Sequence, residues 1–405
     1  MSTLPSVRFL DRRTPPHVVT LILIAGLGAL SLNIFLPSLP SMAEHFGVPY
    51  GLMQLSVSLY LATTAAVQLG IGPVSDRYGR RPVMIWSIAI FVLATLGVVL
   101  APNYAIFMVC RLIQAAIASG FVLSRAAVRD MVAQDKAASM IGYVTMGMSV
   151  VPMVGPVIGG MLGEAFGWQA SFVLLGLAGL GLLVLVWADQ GETAVLRDAS
   201  FATQLREYPA LLTSQRFWGY CLASAFASGA FFAYLGGAPF VGSEVYGLEP
   251  AELGFWFGAP AVGYMLGNFL SGRFAVRVGV NRMVLAGALV TTLGLLLLGA
   301  LTLGGIATAP IFFGMIMTVG LGNGLLLPSA TAGMLSVRPH LAGSAAGLGG
   351  AFAIGGGAAL SALAGVVLVQ GSGPMPLVVL MLSSSVASIL CIFWVMIRER
   401  QLRAG

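Results

Sequence analysis

Long apolar runs separated by short polar segments recur along the whole chain of 405 residues. Each run is about 20 residues long and apolar on all sides, which is the length an α-helix needs to cross about 30 Å of hydrocarbon. Strands of a membrane barrel would be about half as long and would alternate apolar and polar side chains. The pattern therefore predicts membrane-spanning helices.

Twelve runs are predicted, and the longest polar segment follows the sixth. The first six are Val18–Pro37, Met53–Val74, Val83–Ala101, Tyr104–Val122, Met140–Leu162 and Ala170–Trp187. The other six are Phe217–Phe240, Leu253–Phe274, Met283–Leu303, Pro310–Met334, Ala342–Val369 and Pro376–Ile397. We therefore predict an all-α membrane protein in which residues 1–187 and 217–405 form two six-helix bundles and 188–216 form a linker.

Composition and charge agree with a polytopic membrane protein. Only 8% of the residues are charged, whereas soluble domains carry about 25%. Basic residues precede the first span, follow the last, and occupy alternate loops, whereas the opposite loops carry only acidic charges such as Glu44, Glu164, Glu244, Glu249 and Glu252. By the positive-inside rule both termini are cytoplasmic, which predicts a multi-pass protein of a bacterial-type inner membrane. The net charge of +6 therefore reflects topology and does not indicate a nucleic-acid partner.

A short repeat supports the division into halves. Three residues after the second span recur 200 positions later, after the eighth: Gly72, Arg77 and Gly79 correspond to Gly272, Arg277 and Gly279. Because both sets hold the same place in a six-span half, duplication is a better explanation than coincidence. Halves related in this way usually form a substrate site at their interface near the midplane of the bilayer.

The loop of residues 72–82, Gly-Pro-Val-Ser-Asp-Arg-Tyr-Gly-Arg-Arg-Pro, is the most specific local signal. Gly72 is expected to allow close helix contact, Asp76 to cap a helix or pair with an arginine, and Arg80 and Arg81 to remain on the cytoplasmic side. We also predict that Asp130, at the end of the fourth span, pairs with Arg77 or Arg81. A basic loop that only sets topology is the alternative.

Arg111 lies inside the fourth predicted span, where a charge costs about 2.5–3.5 kcal/mol on insertion scales. Such a residue usually faces a wet cavity or a partner, so we interpret it as a substrate-binding or coupling residue. Gln114 lies one turn further along the same face. The alternative is an arginine that is bonded to backbone carbonyl groups and holds helices together.

These segments together resemble the major facilitator superfamily. Four matches carry the resemblance: residues 72–82 to its helix 2–3 signature, Arg111–Gln114 with Gly120 to its helix-4 motif, Gly147 with Gly155–Gly160 to its helix-5 antiporter motif, and Ser31–Pro40 to helix 1 of the bicyclomycin and chloramphenicol resistance subfamily. The resemblance implies two bundles that rock about a central site, drug–proton antiport, and a helix-5 interface that seals one side. Gly155, Pro156, Gly159 and Gly160 would form that interface.

One position departs from the subfamily. Asn33 stands where the resembling helix-1 pattern usually has an aspartate, and no Asp or Glu lies well inside any predicted span. A buried carboxylate is the ordinary proton carrier, since burial raises its pKa toward neutrality. Proton coupling therefore rests on the resemblance alone, or on Asp76, Asp130 or protonation of the cargo.

An interior with one arginine and no acid favours neutral, zwitterionic or anionic cargo. The candidate substrate-binding residues are Asn33, Tyr60, Arg111, Gln114, Met146, Phe232, Tyr234, Trp256 and Asn323. No phosphate loop, zinc-ligand spacing or nucleophile–base pair is present in the sequence, so we predict no cofactor, no metal and no enzymatic activity.

The leading hypothesis is a monomeric secondary exporter of small amphipathic compounds or drugs. A proton-independent facilitator or a metabolite or amino-acid exporter of the same fold is the alternative. A membrane sensor or lipid-handling protein is a third, and the short loops argue against the sensor.

Overall fold

The computed structural model describes residues 7–131, 151, 154–194, 209, 211–338 and 342–404. The N-terminal half, residues 7–194, includes α1 (Val18–Asn33), α2 (Leu39–Phe46), α3 (Tyr50–Tyr78), α4 (Arg80–Val99), α5 (Tyr104–Gln114), α6 (Ser119–Met131), α7 (Val154–Phe166) and α8 (Gln169–Asp189). The C-terminal half, residues 209–404, includes α9 (Gln215–Phe240), α10 (Pro250–Trp256), α11 (Ala259–Val278), α12 (Val280–Leu303), α13 (Ala309–Val337), α14 (Ala342–Val367) and α15 (Met375–Ala404).

The predicted all-helical fold is confirmed. Ten helical segments of the described residues are long and apolar enough to cross a membrane, and they correspond to every predicted span except the fifth and the eighth. Most of the fifth span, Met140–Leu162, lies outside the described residues, and its end belongs to α7. The eighth span is divided into α10 and α11 by Phe257 and Gly258, and its last turns carry Arg273 and Arg277.

Several helices are longer than the apolar runs that predict them. The second predicted span ends at Val74, whereas α3 continues to Tyr78, and α15 continues from the predicted end at Ile397 to Ala404. Hydropathy marks where the hydrocarbon ends, but a helix can continue into water because its backbone hydrogen bonds are internal. The predicted runs therefore mark the apolar parts of these helices and not the helix ends.

The repeated glycines form the same turn in both halves. Gly79 separates α3 from α4 with φ 95° and ψ 151°, and Gly279 separates α11 from α12 with φ 88° and ψ 152°. This backbone region is open essentially to glycine alone. The 200-residue repeat is therefore also a repeat of backbone geometry at corresponding helix–helix turns.

The two halves meet at the end of the bundle opposite the termini. There α3 packs along α14, and α7 lies against the start of α10. The aromatic ring of Tyr50, at the start of α3, lies 5.2 Å from that of Phe240 at the end of α9. We call this contact region the closed end.

Candidate transport site

Arg111 lies on α5, just before the helix tightens into a 3-10 turn at Ala115–Ala118. Its side chain is fully buried, with 0% exposure. One guanidinium nitrogen, Nη2, donates to the backbone carbonyl of Ser31 at 2.9 Å, and Nη1 donates to the Ser31 hydroxyl at 3.3 Å and to the side-chain oxygen of Gln114. Arg111 therefore joins α5 to the middle of α1.

Three aromatic rings surround the same guanidinium group. Its central carbon lies 3.9 Å from the ring centre of Tyr60, 4.3 Å from that of Phe35 and 5.9 Å from that of Phe172. Cations over aromatic faces are stabilised by the ring quadrupole, most strongly where water is excluded. The rings thus offset part of the cost of a charge inside the membrane.

Gln114 extends this cluster to a further helix. Its side-chain nitrogen donates to the hydroxyl of Thr95 on α4 at 2.7 Å, and Thr95 donates in turn to the carbonyl of Phe91 at 2.6 Å. The Tyr60 hydroxyl donates to Ser31 at 3.1 Å. The Arg111 cluster (Ser31, Phe35, Tyr60, Thr95, Arg111, Gln114 and Phe172) therefore ties α1, α3, α4, α5 and α8 together.

The geometry of Arg111 corresponds to the alternative in which an arginine holds helices together through a backbone carbonyl. Among the described residues its Nε has no hydrogen-bond partner, and no carboxylate pairs with the guanidinium group. Sequence analysis found Arg111, Gln114 and Tyr60 but missed Thr95 and Phe172. These two have no local signal, since a threonine or phenylalanine in a span is ordinary.

Asn33 lies outside this cluster of hydrogen bonds. Its amide nitrogen donates to the carbonyl of Ala29 at 2.7 Å, one turn back on the same helix. Its β-carbon lies beside Gly155 of α7, so the residue faces the helix that carries the predicted antiporter motif. Its side chain is buried, with 3% exposure.

The predicted C-terminal candidates lie on three helices. Tyr234 on α9 packs its ring 5.3 Å from Phe257, and Trp256 stacks on Phe313 at 6.2 Å. The hydroxyl of Tyr234 and the amide oxygen of Asn323 on α13 are buried and have no hydrogen-bond partner among the described residues. Two interior polar atoms are thus free in this conformation.

Two further predicted substrate-binding residues, Phe232 and Met146, are not among the contacts described above. Phe232 packs onto α14 at Gly357 and is half-buried. Met146 lies outside the described residues.

Small residues of α7 form part of the closed end. A side-chain carbon at Gly159 would overlap the carbonyl oxygen of Ile34 on α1, and one at Gly160 would overlap that of Pro250 on α10. Across the same contact, Gly254 of α10 faces the carbonyl of Pro156. Gly160 and Gly254 let backbones from the two halves approach closely, whereas Gly159 lets α7 pack against the end of α1 within one half.

Polar side chains of α3 complete the closed end. The side-chain nitrogen of Gln54 donates to both the carbonyl and the hydroxyl of Ser361 on α14, the latter at 2.7 Å, and the Tyr50 hydroxyl donates to the carbonyl of Gly236 at 2.7 Å. Sequence analysis missed Gln54, although a glutamine within an apolar span is a usable signal. We call the contacts of Gln54, Ser361 and Tyr50 the latch.

The loop of residues 72–82 forms a compact ion-pair cluster at the other end. Arg80 pairs with Asp76 at 2.9 Å and with Asp130 at 2.7 Å, and it also donates to the hydroxyl of Ser75. The predicted pairing of Asp130 with Arg77 or Arg81 was wrong, because the guanidinium group of Arg80, at the start of α4, reaches both acids. Arg77 instead lies over the ring of Tyr78, at 5.5 Å.

The close contact expected at Gly72 lies at a different glycine of the loop. Within the described residues no atom lies within 4 Å of where a Gly72 side chain would begin, whereas at Gly79 it would overlap a carboxylate oxygen of Glu192. The Glu192 oxygens accept from the backbone nitrogens of Arg80 at 2.8 Å and Arg81 at 3.2 Å. Glu192, at the start of the linker, thus caps α4.

The C-terminal half has a related cluster. Glu399 of α15 accepts from Arg216 at 2.8 Å and from the Asn281 side chain at 2.7 Å, and its carboxylate lies 3.2 Å from the Tyr220 hydroxyl oxygen. The Tyr220 hydroxyl donates its hydrogen to the nearer acceptor, the side-chain oxygen of Asn281. In each half a glutamate from beyond the last predicted span therefore contacts the helix turn at the repeated glycine. Glu192 contacts the turn at Gly79, and Glu399 contacts the turn at Gly279 through Asn281.

Asp189, at the end of α8, is the single carboxylate of the described residues with no exposure. It accepts from the backbone nitrogens of Leu10 at 2.7 Å and His17 at 2.9 Å, and from the Thr20 hydroxyl at 2.6 Å. It anchors the segment before α1 at the end of the bundle, away from the Arg111 cluster.

Comparison with protein families agrees with this arrangement. Residues 21–352 match the model of the Major Facilitator Superfamily, which is most of the chain. The chain belongs to the major facilitator superfamily. It is a multi-pass membrane transporter of small molecules and not an enzyme, as predicted.

Individual relatives cover nearly the whole chain. An MFS-type transporter of Bacillus subtilis, YdgK, is 32% identical over 85% of this chain and 87% of its own length. The chloramphenicol resistance protein of Pseudomonas aeruginosa is 29% identical over 78% and 76%, and multidrug resistance protein D of Escherichia coli is 27% identical over 96% and 97%. The structure of a bacterial homolog of the human lysosomal transporter Spinster, inward-facing and occupied, superposes with a TM-score of 0.70 at 17% identity and covers 95% and 96%. This likeness confirms the predicted fold.

Proposed function

We propose that this transporter exports small amphipathic compounds from the cytoplasm by alternating access between bundles of residues 1–187 and 217–405, joined by the linker 188–216. Its similarity to proteins named for chloramphenicol and multidrug resistance supports export. The closed end supports alternating access, because the latch and the α7–α10 contact must separate to open that side. The basic segments on the side of the termini support a cytoplasmic location for both termini.

The observation that carries the proposed cargo class is the buried positive charge of Arg111. Its guanidinium group has no carboxylate partner among the described residues, and the nearest polar groups are neutral. An uncompensated positive charge repels cations in a medium of low dielectric constant. The free polar atoms of Tyr234 and Asn323 offer neutral hydrogen-bonding groups. Neutral, zwitterionic and anionic compounds therefore fit this interior better than cations.

Two candidate functions differ in what drives transport: a proton gradient in an antiporter, or the gradient of the transported compound in a facilitator. Asp76 and Asp130 are held in ion pairs with Arg80, and Asp189 anchors backbone groups, so each has a structural use. With Asn33 on α1, a proton-independent facilitator of metabolites is the second candidate. Antiport is supported by the family resemblance of the helix-5 motif.

The deciding experiment is transport in proteoliposomes of the purified full chain with imposed pH gradients. Matched neutral, anionic and cationic probes are compared, with and without an uncoupler. We expect anionic and neutral probes to be transported and cationic ones to be excluded. Transport that persists after the gradient collapses identifies the facilitator, and selective transport of cations contradicts the proposed cargo class.

Variants of Arg111 separate charge from structure. Arg111→Ala removes the charge and its bonds to Ser31, and we expect at least about a tenfold loss of transport, the equivalent of about 1.4 kcal/mol. Arg111→Lys keeps the charge but loses the planar fork, and we expect it to retain the exclusion of cationic probes. Size-exclusion profiles check folding. Full transport by Arg111→Ala would contradict the proposed role.

Gly160 tests the closed end. The β-carbon of Gly160→Ala would clash with the carbonyl oxygen of Pro250 in the other half. The β-carbon of the control, Gly181→Ala, would meet no neighbouring atom within 4 Å among the described residues. We expect Gly160→Ala to shift the population toward opening of this end and to lower transport severalfold, with Gly181→Ala unchanged. Cysteine accessibility at Ser361→Cys measures the opening. Equal accessibility of the cysteine at position 361 in both variants would contradict a role of the α7–α10 contact in closing this end.

A further inference from the structure

A concave groove lies on the outer surface of the N-terminal half, between α4 and α8. It has a volume of about 500 Å³ and is lined by six apolar or aromatic residues: Ile85, Trp86, Ala89, Leu183, Val184 and Trp187. Trp86 is 68% exposed and Trp187 is 56% exposed. Because α4 and α8 both span the membrane, this groove faces the hydrocarbon of the bilayer.

The groove lies toward the side of the bundle that carries the termini. Trp187 is two residues from the end of α8, and Ile85 is five residues after the start of α4. Exposed tryptophans at such positions are typical of the region where hydrocarbon meets lipid headgroups. An acyl chain in the groove would therefore have its headgroup at the ends of these helices.

Two arginines lie at this mouth of the groove. The guanidinium group of Arg12 lies 5.3 Å from the ring of Trp187, and Arg81 donates to the carbonyl of Trp187 at 3.0 Å. Arg12 is exposed, and the Nε of Arg81 is buried without a hydrogen-bond partner among the described residues. Arg12 can thus donate to a further acceptor, and Arg81 can do so only through its terminal guanidinium nitrogens, because its Nε is shielded from outside contact.

The acidic side chains near this mouth accept hydrogen bonds from backbone and hydroxyl groups and not from the side chains of Arg12 or Arg81. Asp189 accepts from backbone and hydroxyl groups, and Glu192 accepts from the backbone nitrogens of α4. Asp11 accepts from the backbone nitrogen of Arg13. Neither Arg12 nor Arg81 forms an ion pair within the described residues.

We propose that the groove between α4 and α8 binds one anionic phospholipid, with an acyl chain against Trp86 and Trp187 and a phosphate at Arg12 and Arg81. The apolar groove selects a chain, and the two arginines select a negative headgroup over a zwitterionic one. Attraction of about 1 kcal/mol per basic residue near an anionic surface corresponds to about a fivefold preference for each arginine. Because Arg81 also belongs to the loop at the start of α4, the bound lipid would contact the ion-pair cluster of Arg80.

The groove tryptophans report this binding directly. The chain has six tryptophans, so a variant that keeps Trp187 alone carries phenylalanine at the other five. Its fluorescence is measured in vesicles with increasing fractions of brominated phosphatidylglycerol or brominated phosphatidylcholine, since bromine on the acyl chain quenches by contact. We expect half-maximal quenching at a several-fold lower fraction of the anionic lipid.

Matched variants locate the site. Arg12→Ala should reduce the anionic preference about fivefold, whereas Arg13→Ala removes the same charge one residue away and should change it little. A second reporter that keeps Trp394 alone, 40% exposed on α15, should not respond to Arg12→Ala. Ala89→Phe fills the groove and should weaken quenching of Trp187 by both lipids.

Equal quenching of Trp187 by the two lipids would overturn the proposal. So would an anionic preference that persists in Arg12→Ala with Arg81→Ala, because it would then arise from the general charge of the protein. Unchanged quenching in Ala89→Phe would place the lipid outside the groove. None of these readouts depends on transport, so they stand apart from the proposed export function.

Discussion

The helix turns after α3 and after α11 have the same backbone geometry but different chemistry. At Gly79 the turn lies against Glu192, and Arg80 beside it binds two aspartates. At Gly279 no atom lies within 4 Å of the missing side chain among the described residues, and the nearby glutamate, Glu399, binds side chains instead of backbone. The two turns thus share a backbone geometry, and among the described residues the N-terminal one carries the denser ion-pair cluster.

The two clusters also connect different parts of the molecule. In the N-terminal half the cluster ties α3, α4 and α6 to the start of the linker that leads to the other half. In the C-terminal half the cluster ties α9, α12 and the terminal helix, all within one half. We therefore expect substitutions in the N-terminal cluster to affect movement between the halves, and substitutions in the C-terminal cluster to affect mainly local stability.

The largest difference is expected between the two arginines. Arg80→Ala removes the ion pairs of two carboxylates, Asp76 and Asp130, whereas Arg216→Ala removes the ion pair of one, Glu399, which still accepts from Asn281. Charged hydrogen bonds contribute about 1.5–3 kcal/mol each. We expect Arg80→Ala to lower efflux at least about tenfold and Arg216→Ala less than about threefold, compared at equal membrane expression. Similar losses of efflux in the two variants would contradict the expected difference between the two clusters.

The turn glycines should differ by a smaller amount. Gly279→Ala imposes strain of about 1–3 kcal/mol, because alanine disfavours this backbone region. Gly79→Ala carries the same strain and also displaces Glu192. Thermal unfolding in detergent should therefore show a larger loss for Gly79→Ala. In a Glu192→Ala background the two alanine variants should become similar, and a persisting gap would show that Glu192 is not its cause.

The two glutamates should differ least, and mainly in their response to salt. Glu192→Ala removes a cap from α4, which costs about 1 kcal/mol, and should speed amide exchange at Arg80 and Arg81. Glu399→Ala removes a partly exposed ion pair, which contributes about 0–1 kcal/mol and is screened by salt. Measured between low and high ionic strength, the effect of Glu399→Ala should shrink and that of Glu192→Ala should persist. The reverse order would contradict the assigned bonding.

Much of the fold was predictable because it depends on local properties of the chain. A run of apolar residues of membrane-spanning length leaves the backbone little choice but a helix. The fifth and eighth spans were the hardest: the fifth lies mostly outside the described residues, and Phe257 and Gly258 divide the eighth. Helix ends in water escaped prediction since hydropathy reports only the hydrocarbon.

The candidate site was predicted in part. Arg111 was identifiable because a charged residue inside a membrane span is energetically costly and usually has a partner or a function. Gln114 follows from helical spacing. That Arg111 would be enclosed by rings from α1, α3 and α8 depended on residues far apart in the chain. The same holds for Asp130, whose partner is Arg80 and not Arg77 or Arg81.

The sequence by itself determined that this protein is a helical membrane transporter with a duplicated turn and a buried arginine. Hydrophobic length, charge sidedness and glycine spacing are properties of consecutive residues, so they can be interpreted without coordinates. Only the tertiary structure decided which groups meet: Arg111 with Ser31, Gln54 with Ser361, Glu192 with the start of α4, and two arginines with the groove of Trp187. Such contacts depend on how helices distant in the chain cross and rotate, and side-chain packing between them sets that arrangement.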